Sequence, residues 1–350
     1  MPSVHALQEL TDMKIYRNCS LLPYNTFGVD GRCSALAEYE TEQELCDILN
    51  LVQNGELPSP VLQIGQGSNI LFTGDFEGTL LHCSISGMQV LDSSDTEVLV
   101  KVGAGVVWDD FVSLCVENGW YGAENLSLIP GLTGSAAVQN IGAYGTEVKD
   151  IIASVRCFDM REGLYRTFDV NECGYGYRDS MFKKCRDLTV TFVTFRLSTE
   201  KSFNLSYSAL QQAALAEGAD SLSHIRDIVC RIRRSKLPDV ATLGSAGSFF
   251  KNPLVERSLF ESLKQKWPDI PGFGDNSGTG HVKLSAGWLI EKCGWKGKSL
   301  GRAGVYEKQA LVLVNLSGAT GEEIAALSRL VADDVFKKFG VSLSPEVLIL

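Results

Sequence analysis

Four stretches of the sequence combine residue types whose chemistry is specific. Arg226, Arg231, Arg233, Arg234 and Lys236 gather within and just after one short helical pattern. Arginine offers a planar fork of N–H donors and lysine a compact point charge, two groups well suited to a diphosphate. A solvated basic helix face has the same composition, so spacing alone leaves both readings open. In Gly174-Tyr-Gly-Tyr-Arg-Asp-Ser180, Arg178 sits between Tyr177 and Asp179. It closes a strand-end ion pair or grips a substrate carboxylate through two parallel hydrogen bonds. Gly244-Ser-Ala-Gly-Ser-Phe-Phe-Lys-Asn-Pro253 sets Ser248 among glycines and beside Phe249 and Phe250. Loop serines are common, but aromatic neighbours would keep water from this hydroxyl. Pro345-Glu346-Val347 places one carboxylate in the apolar run Leu343 to Leu350. Strand alternation would turn Glu346 outward, whereas burial would raise its proton affinity and fit it for catalysis.

A scaffold must position these residues, and the chain alternates short strands, glycine turns and modest helices. After a strand from Ala35, Thr41 reads as an N-cap with Glu44 three residues on, and Leu45, Ile48, Leu49 and Val52 follow at helical spacing. Gln66-Gly-Ser-Asn69 turns between the apolar runs Val61–Gly65 and Ile70–Phe72. Gly103-Ala-Gly105 turns between Val98–Val102 and a helix carrying Trp108, Phe111, Val112, Cys115 and Val116 on its apolar face. Ile129 to Gly145 is the most glycine-rich segment, where backbone can approach a ligand closely. Ile151–Phe158, Leu164–Phe168 and Leu188–Leu197 read as strands. Ile225–Arg234 reads as a helix ended by Leu237-Pro238. Ala241–Asn252 reads as a polar turn opening the last domain, Leu284–Cys293 as a helix and Ala310–Asn315 as a buried strand. Glu322–Phe339 reads as an amphipathic helix starting near Thr320.

Composition narrows the classes. With 350 residues, 45% apolar and 21% charged, the chain has material for two or three domains and a soluble globular balance. A formal charge of -10 repels nucleic acid and anionic membranes, so an anionic substrate must meet a local basic cluster. The ten cysteines are scattered without a Cys-x-x-Cys pair, which argues against metal clusters and fits small apolar core residues in a reducing compartment. His5, His82, His224 and His281 show no metal-ligand spacing, and no metal is expected. Gly65-x-Gly67 is followed by Ile70, Gly103-x-Gly105 by Trp108 and Gly272-x-Gly274 by Ser277, so the dinucleotide fingerprint fails three times. Lys292 stands five before Gly297-Lys-Ser299, which excludes a phosphate-cradling P-loop there. Met1 to Asn18 has no continuous apolar core of a signal peptide, and no run approaches ~20 apolar residues, so the expected location is the cytoplasm.

In their shared order, these segments resemble the UDP-N-acetylenolpyruvoylglucosamine reductases, the MurB family. The landmarks are Asn25–Gly28, Gly65-x-Gly-Ser-Asn69, Ile129–Gly131 with Gln139–Gly145, Tyr177–Ser180, Lys236–Pro238, Ala246–Pro253, Ala286–Ile290 and Pro345–Val347. The resemblance implies an α+β, three-domain protein of the vanillyl-alcohol-oxidase-like (PCMH-type) FAD fold with a C-terminal α/β substrate domain. The implied divisions are 1–85, joined by 340–350, then 86–237 and 238–339. Gly65, Gly67, Ser68, Asn69, Gly131, Gly134, Ser135, Ile141, Gly142 and Arg233 would bind FAD. Tyr207, in Leu205-Ser-Tyr-Ser-Ala-Leu210, resembles the substrate-clamping tyrosine of the longer family type, and Tyr177, Lys236, Asn252 and Gln309 would bind substrate with it. The implied reaction takes hydride from NADPH through the flavin to C3 of UDP-N-acetylglucosamine enolpyruvate. Arg178 would hold and polarise the substrate carboxylate, Ser248 would protonate C2, and Glu346 would assist the proton step. The family pattern also carries Glu at 344 and Arg at 348, where this chain has Ser344 and Leu348. A monomer with small-molecule partners only is expected. Two rivals differ in class: an oxidase of small alcohols sharing only the flavin frame, and a flavin-free protein that binds nucleotide sugars without turnover.

Overall fold

The structure, a computed structural model, describes residues 13–274 and 280–350. His5, Ser277 and most of the segment read for a signal peptide lie outside the described residues. The backbone forms two compact units. The first comprises the described part of Met1–Cys19 with Cys33–Gln66 and Phe76–Arg233; the second comprises Ser20–Arg32, Gly67–Asp75 and Arg234–Leu350.

The first unit holds two sheets. In one, Lys14–Ser20, Arg32–Tyr39, Phe76–Cys83 and Val61–Ile64 lie in that order, the last three parallel. The helix Glu42–Gln53 returns the chain between two of them, and the Thr41 hydroxyl accepts from Glu44 N–H as the spacing predicts. Glu44 closes its side of the cap one residue early, accepting from Glu40 N–H. The other sheet is antiparallel, in the order Leu164–Asp169, Ile152–Asp159, Leu188–Ser198, Glu97–Gly103 and Met88–Ser93. Its long central strand is the β-branched run read from sequence, buried on alternate and often successive positions. Trp108 and Phe111 from the helix Trp108–Glu117 stack with Phe195 of that strand, ring centroids 4.5 to 5.8 Å apart. A smaller cluster, Leu210, Ala214, Ile225, Ile228 and Val229, joins the helix Ser208–Glu217 to Leu222–Lys236.

The second unit is built on antiparallel strands Gly244–Ser248, Val312–Asn315, Ala303–Val305 and Ser299–Leu300, with a three-stranded sheet of Leu254–Glu256, His281–Leu284 and Gly272–Gly274. Leu348–Ile349 adds a parallel partner to Ile70–Leu71. The helix Gly321–Phe339 buries Ile324, Leu327, Val331 and Val335 against this core. Thr320 and Glu323 form its capping box, and Gly340 ends it with φ 67°.

Three sequence expectations change. Ala241–Asn252 is not only a turn, because Gly244–Ser248 is a strand bulged between Ser245 and Ser248. Glycine and serine carry no strand signal of their own. The strand is dictated by a neighbour: a Cβ at Gly244 would lie 2.1 Å from Phe27 O, and Ser245 N–H donates to Thr26 O at 2.9 Å. The helix expected from Leu284 begins at Ala286, since Leu284 belongs to a strand and Ser285 caps the helix through Trp288 N–H. The segment Ile129–Gly145 contains a helix, Thr133–Gln139, whose small residues let it approach Ala104 so closely that a Gly134 Cβ would meet the Ala104 Cβ at 2.7 Å.

Candidate active site

Arg178 occupies a tight turn bracketed by a bridge between Gly176 and Asp179. Its backbone is left-handed, φ 53°, a conformation that costs a residue with a Cβ about 1–2 kcal/mol. The surroundings hold it there. Lys183 Nζ donates to Arg178 O at 3.2 Å and to Gln139 Oε1 at 2.9 Å. Asn140 Nδ2 donates to Gly176 O at 2.7 Å, and the Ser180 hydroxyl to Val138 O at 2.7 Å. The Arg178 guanidinium donates to Gly142 O and lies over the Tyr177 ring, 5.4 Å from its centroid. A Cβ at Gly142 would come 2.7 Å from Arg178 Nη1, so glycine there is a condition of this guanidinium position. The side chain predicted to polarise a carboxylate is thus built onto the predicted cofactor loop.

The expected cofactor positions of the first unit converge. Gly65 faces Ser135, where a Cβ would stand 3.2 Å from Oγ, and Gln66 Oε1 accepts from Gly131 N–H at 3.1 Å. The N–H groups of Gly134 and Ile141 are taken by Ala104 O and Ala136 O, and the Ser135 hydroxyl donates to Leu132 O. These groups are therefore satisfied within the protein, and the glycines at 65 and 134 admit the close approach of Ser135 and Ala104. Leu128, next to the Ile129-Pro-Gly131 loop, is left-handed at φ 59° and is gripped from both sides. Its N–H donates to Asp109 Oδ1, and its carbonyl accepts from Arg233 Nε at 3.2 Å. Arg226 grips Asp109 with both arms at 2.8 and 2.9 Å. Burial opposes the charge of Asp109, but hydrogen bonds from Arg226 and Leu128 and the charges of Arg226 and Arg233 outweigh it and hold the carboxyl below its ordinary range. Burial pulls the Arg233 guanidinium below its ordinary value, with Tyr144, Cys230 and Asp109 opposing. A desolvated guanidinium on the carbonyl of Leu128, beside this glycine-rich loop, is chemistry that fits an anionic cofactor.

The basic cluster is divided by this geometry. Arg226 is spent on Asp109 and Arg231 on Glu217. Arg233 supports the loop, and Lys236 is the last residue of its helix. Tyr207 is 40% exposed at the start of the helix Ser208–Glu217, its ring set edge-on against Tyr144 at 5.2 Å.

In the second unit Ser248 ends its strand opposite Val312. Phe249 N–H donates to Leu311 O and Phe249 O accepts from Glu346 N–H, both at 2.8 Å, while Lys251 N–H donates to Ser344 O at 3.0 Å. This ladder lays the Ser248 segment beside Glu346. Glu346 O accepts from Asn69 Nδ2 at 3.2 Å, and Leu348 N–H donates to Asn69 O at 3.0 Å, which brings the Gly67–Asn69 turn to the same segment. Gly67 is fixed by packing: at φ 64°, a Cβ would lie 2.0 Å from Tyr24 O. Asn252 Oδ1 accepts from Ala286 N–H at 3.0 Å, and Gln309 Oε1 would stand 3.1 Å from a Cβ at Gly287, so both meet one helix start. Leu348 sits in a strand through its backbone, a role that does not require the family's arginine.

Sequence reasoning missed Asp109, Tyr144, Asn125 and Lys183. Asp109 looks like any acid on the first turn of an amphipathic helix, and Tyr144 lay unremarked inside a landmark. All ten cysteines are free thiols, and six are buried. Burial pushes the Cys33 and Cys83 thiols up to about 11, so these are inert core residues. Among the described residues, no three His, Cys, Asp or Glu lie together as a metal site, and no helix is long and apolar enough to cross a membrane.

Comparison with known proteins identifies the family. Residues 239–350 match the UDP-N-acetylenolpyruvoylglucosamine reductase C-terminal domain, and residues 33–169 match an FAD binding domain. A UDP-N-acetylenolpyruvoylglucosamine reductase of Bacteroides fragilis is 49% identical over 94% of this chain and 98% of its own length. Those of Porphyromonas gingivalis and Pseudomonas aeruginosa are 46% and 44% identical, over 96% and 95% of this chain and 99% and 98% of their own lengths. The crystal structure of the Thermus caldophilus reductase, at 24% identity, covers 96% of this chain and 99% of its own with a TM-score of 0.66, which shows a shared fold. Identity at this level over nearly full length, with an FAD-binding domain preceding the reductase-specific one, makes the chain a member of the UDP-N-acetylenolpyruvoylglucosamine reductase family, the oxidoreductases of peptidoglycan synthesis.

Proposed function

We propose that this chain is an NADPH-dependent flavoenzyme that reduces UDP-N-acetylglucosamine enolpyruvate to UDP-N-acetylmuramate. It would work in the cytoplasm as a monomer of three domains, with divisions near residues 85 and 237. The observation that supports the reading most is the backbone hydrogen bond from Glu346 N–H to Phe249 O, 2.8 Å, which lays the backbone of the Ser248 segment beside that of Glu346. Bound FAD would supply the hydride chemistry that links NADPH to C3 of the enolpyruvyl group. Gly65, Gly67, Ser68, Asn69, Gly131, Gly134, Ser135, Ile141, Gly142 and Arg233 would hold that cofactor.

Arg178 binds the substrate carboxylate with its planar fork and stabilises the negative charge that hydride addition places on the enolate. Ser248 gives its proton to C2. A hydroxyl is a weak acid, so this step depends on a strongly basic enolate and on fixed placement, which the bulged strand and the Phe249 hydrogen bonds provide. Glu346 orients the proton step. Lys236, Asn252, Gln309, Tyr177 and Tyr207 bind the diphosphate and sugar, and Tyr207 excludes water by closing over them. Ser248→Ala tests the assignment: NADPH should reduce the flavin at close to the wild-type rate, while reoxidation by the enolpyruvyl sugar slows at least a hundredfold. Equal losses in the two half-reactions would remove Ser248 from the proton step.

A further inference from the structure

Asn125 is 1% exposed, and its Oδ1 has no hydrogen-bond partner. An orphaned buried acceptor costs stability, so the side chain is retained for its donors. Both are used. Asn125 Nδ2 donates to Tyr144 O at 2.9 Å and to Asn204 O at 2.8 Å. Asn204 answers with Nδ2, donating to Gly145 O at 3.0 Å and to Thr146 Oγ1 at 3.1 Å. Its Oδ1 accepts from Ser206 N–H at 3.1 Å and from the Ser206 hydroxyl at 2.7 Å, which fixes the backbone one residue before Tyr207.

The receiving element is rigid. Gly142–Ala143 and Thr146–Glu147 are a minimal antiparallel pair, and the two residues between them, Tyr144 at φ 49° and Gly145 at φ 86°, are both left-handed, as a two-residue hairpin demands. Ser206 approaches so closely that a Cβ at Gly145 would stand 2.2 Å from its Oγ. The Tyr144 ring, carried on this tip, is the surface on which Tyr207 rests. The same hairpin accepts the Arg178 guanidinium through Gly142 O.

We infer that Asn125 and Asn204 are positioning residues that pin the root of the Tyr207 segment to the 142–147 hairpin, so that Tyr207 closes in register with the site rather than swinging freely. This rests on the reading of Tyr207 as the residue that closes over the UDP-sugar. The test compares Asn204→Ala, whose side chain lies at the surface, with Asn125→Ala, Tyr207→Ala and the Asn204→Ala/Tyr207→Ala double variant. Asn204→Ala should raise KM for UDP-N-acetylglucosamine enolpyruvate about tenfold, as the loss of about 1.4 kcal/mol of binding does. FAD content and the rate of flavin reduction by NADPH should stay within twofold of wild type. The double variant should be no worse than Tyr207→Ala alone, because Asn204 acts through that residue. Additive losses, or an unchanged KM in Asn204→Ala beside a raised KM in Tyr207→Ala, would overturn the pinning. An unchanged KM in Tyr207→Ala would instead remove the closing role of Tyr207 itself.

Discussion

Replacing Asp109 by asparagine changes one charge and almost no volume, yet it strikes the anchor of the Leu128–Gly131 loop. The Asp109 and Arg226 side chains are 25% and 17% exposed and meet at 2.8 and 2.9 Å. Asparagine keeps the one oxygen that accepts from both Leu128 N–H and one arm of Arg226, but it removes the charge and turns an amide donor toward the other arm. A hydrogen bond to a charged group contributes about 1.5–3 kcal/mol, and an unpaired, fully buried partner costs about 3–5 kcal/mol. Partial exposure brings the expected loss to about 2–3 kcal/mol. Equilibrium urea unfolding at pH 7 of wild type, Asp109→Asn, Arg226→Gln and the double variant measures it. Each single change strands the other side chain, so the double variant should lose about 1–2 kcal/mol less than the sum. The pH dependence follows from the depressed carboxyl: its stabilisation is present above the unfolded value of about 3.9 and disappears as pH falls through the lower folded value. The gap between wild type and Asp109→Asn should therefore be flat from about pH 5 to 8 and begin to narrow as pH falls below about 4. Losses additive within about 0.5 kcal/mol, or a gap that does not narrow at all as pH falls below about 4, would refute the anchor.

Two further outcomes follow from the geometry. Arg178→Lys should cut turnover of the enolpyruvyl sugar at least a hundredfold while flavin reduction survives, because an ammonium cannot make a planar two-pronged contact; near-normal turnover in stopped flow would make the fork irrelevant. Gly67→Ala should lower the urea midpoint by the equivalent of about 3 kcal/mol or leave the protein insoluble, since its Cβ would overlap Tyr24 O at 2.0 Å, and an unchanged midpoint would contradict that packing.

Much of the scaffold is readable because its cause is local. Thr41 with Glu44 and Thr320 with Glu323 announce helix starts by hydrogen-bonding chemistry that needs no tertiary partner. The run Leu188–Leu197 announces a buried strand by composition. The strand Gly244–Ser248 is not readable, because Gly244 serves the Phe27 carbonyl, more than 200 residues away in the chain. The individual site residues were visible as chemical types, and Arg178, Ser248 and Glu346 acquired roles only through the ordered family landmarks. What holds them stayed hidden for the same reason as the glycine strand. Lys183 on the Arg178 carbonyl, Asp109 on Leu128 and Asn125 on Tyr144 are ordinary polar residues whose partners are set by the fold.

The most direct measurement is an anaerobic visible spectrum of the purified protein, taken before NADPH, after NADPH, and after UDP-N-acetylglucosamine enolpyruvate is added. Flavin absorbance should be present, bleach with NADPH and return with the enolpyruvyl sugar. A flavin that bleaches and returns only with oxygen would assign the chain a different oxidase reaction, and a colourless protein that cannot be reconstituted with FAD would contradict the account at its centre.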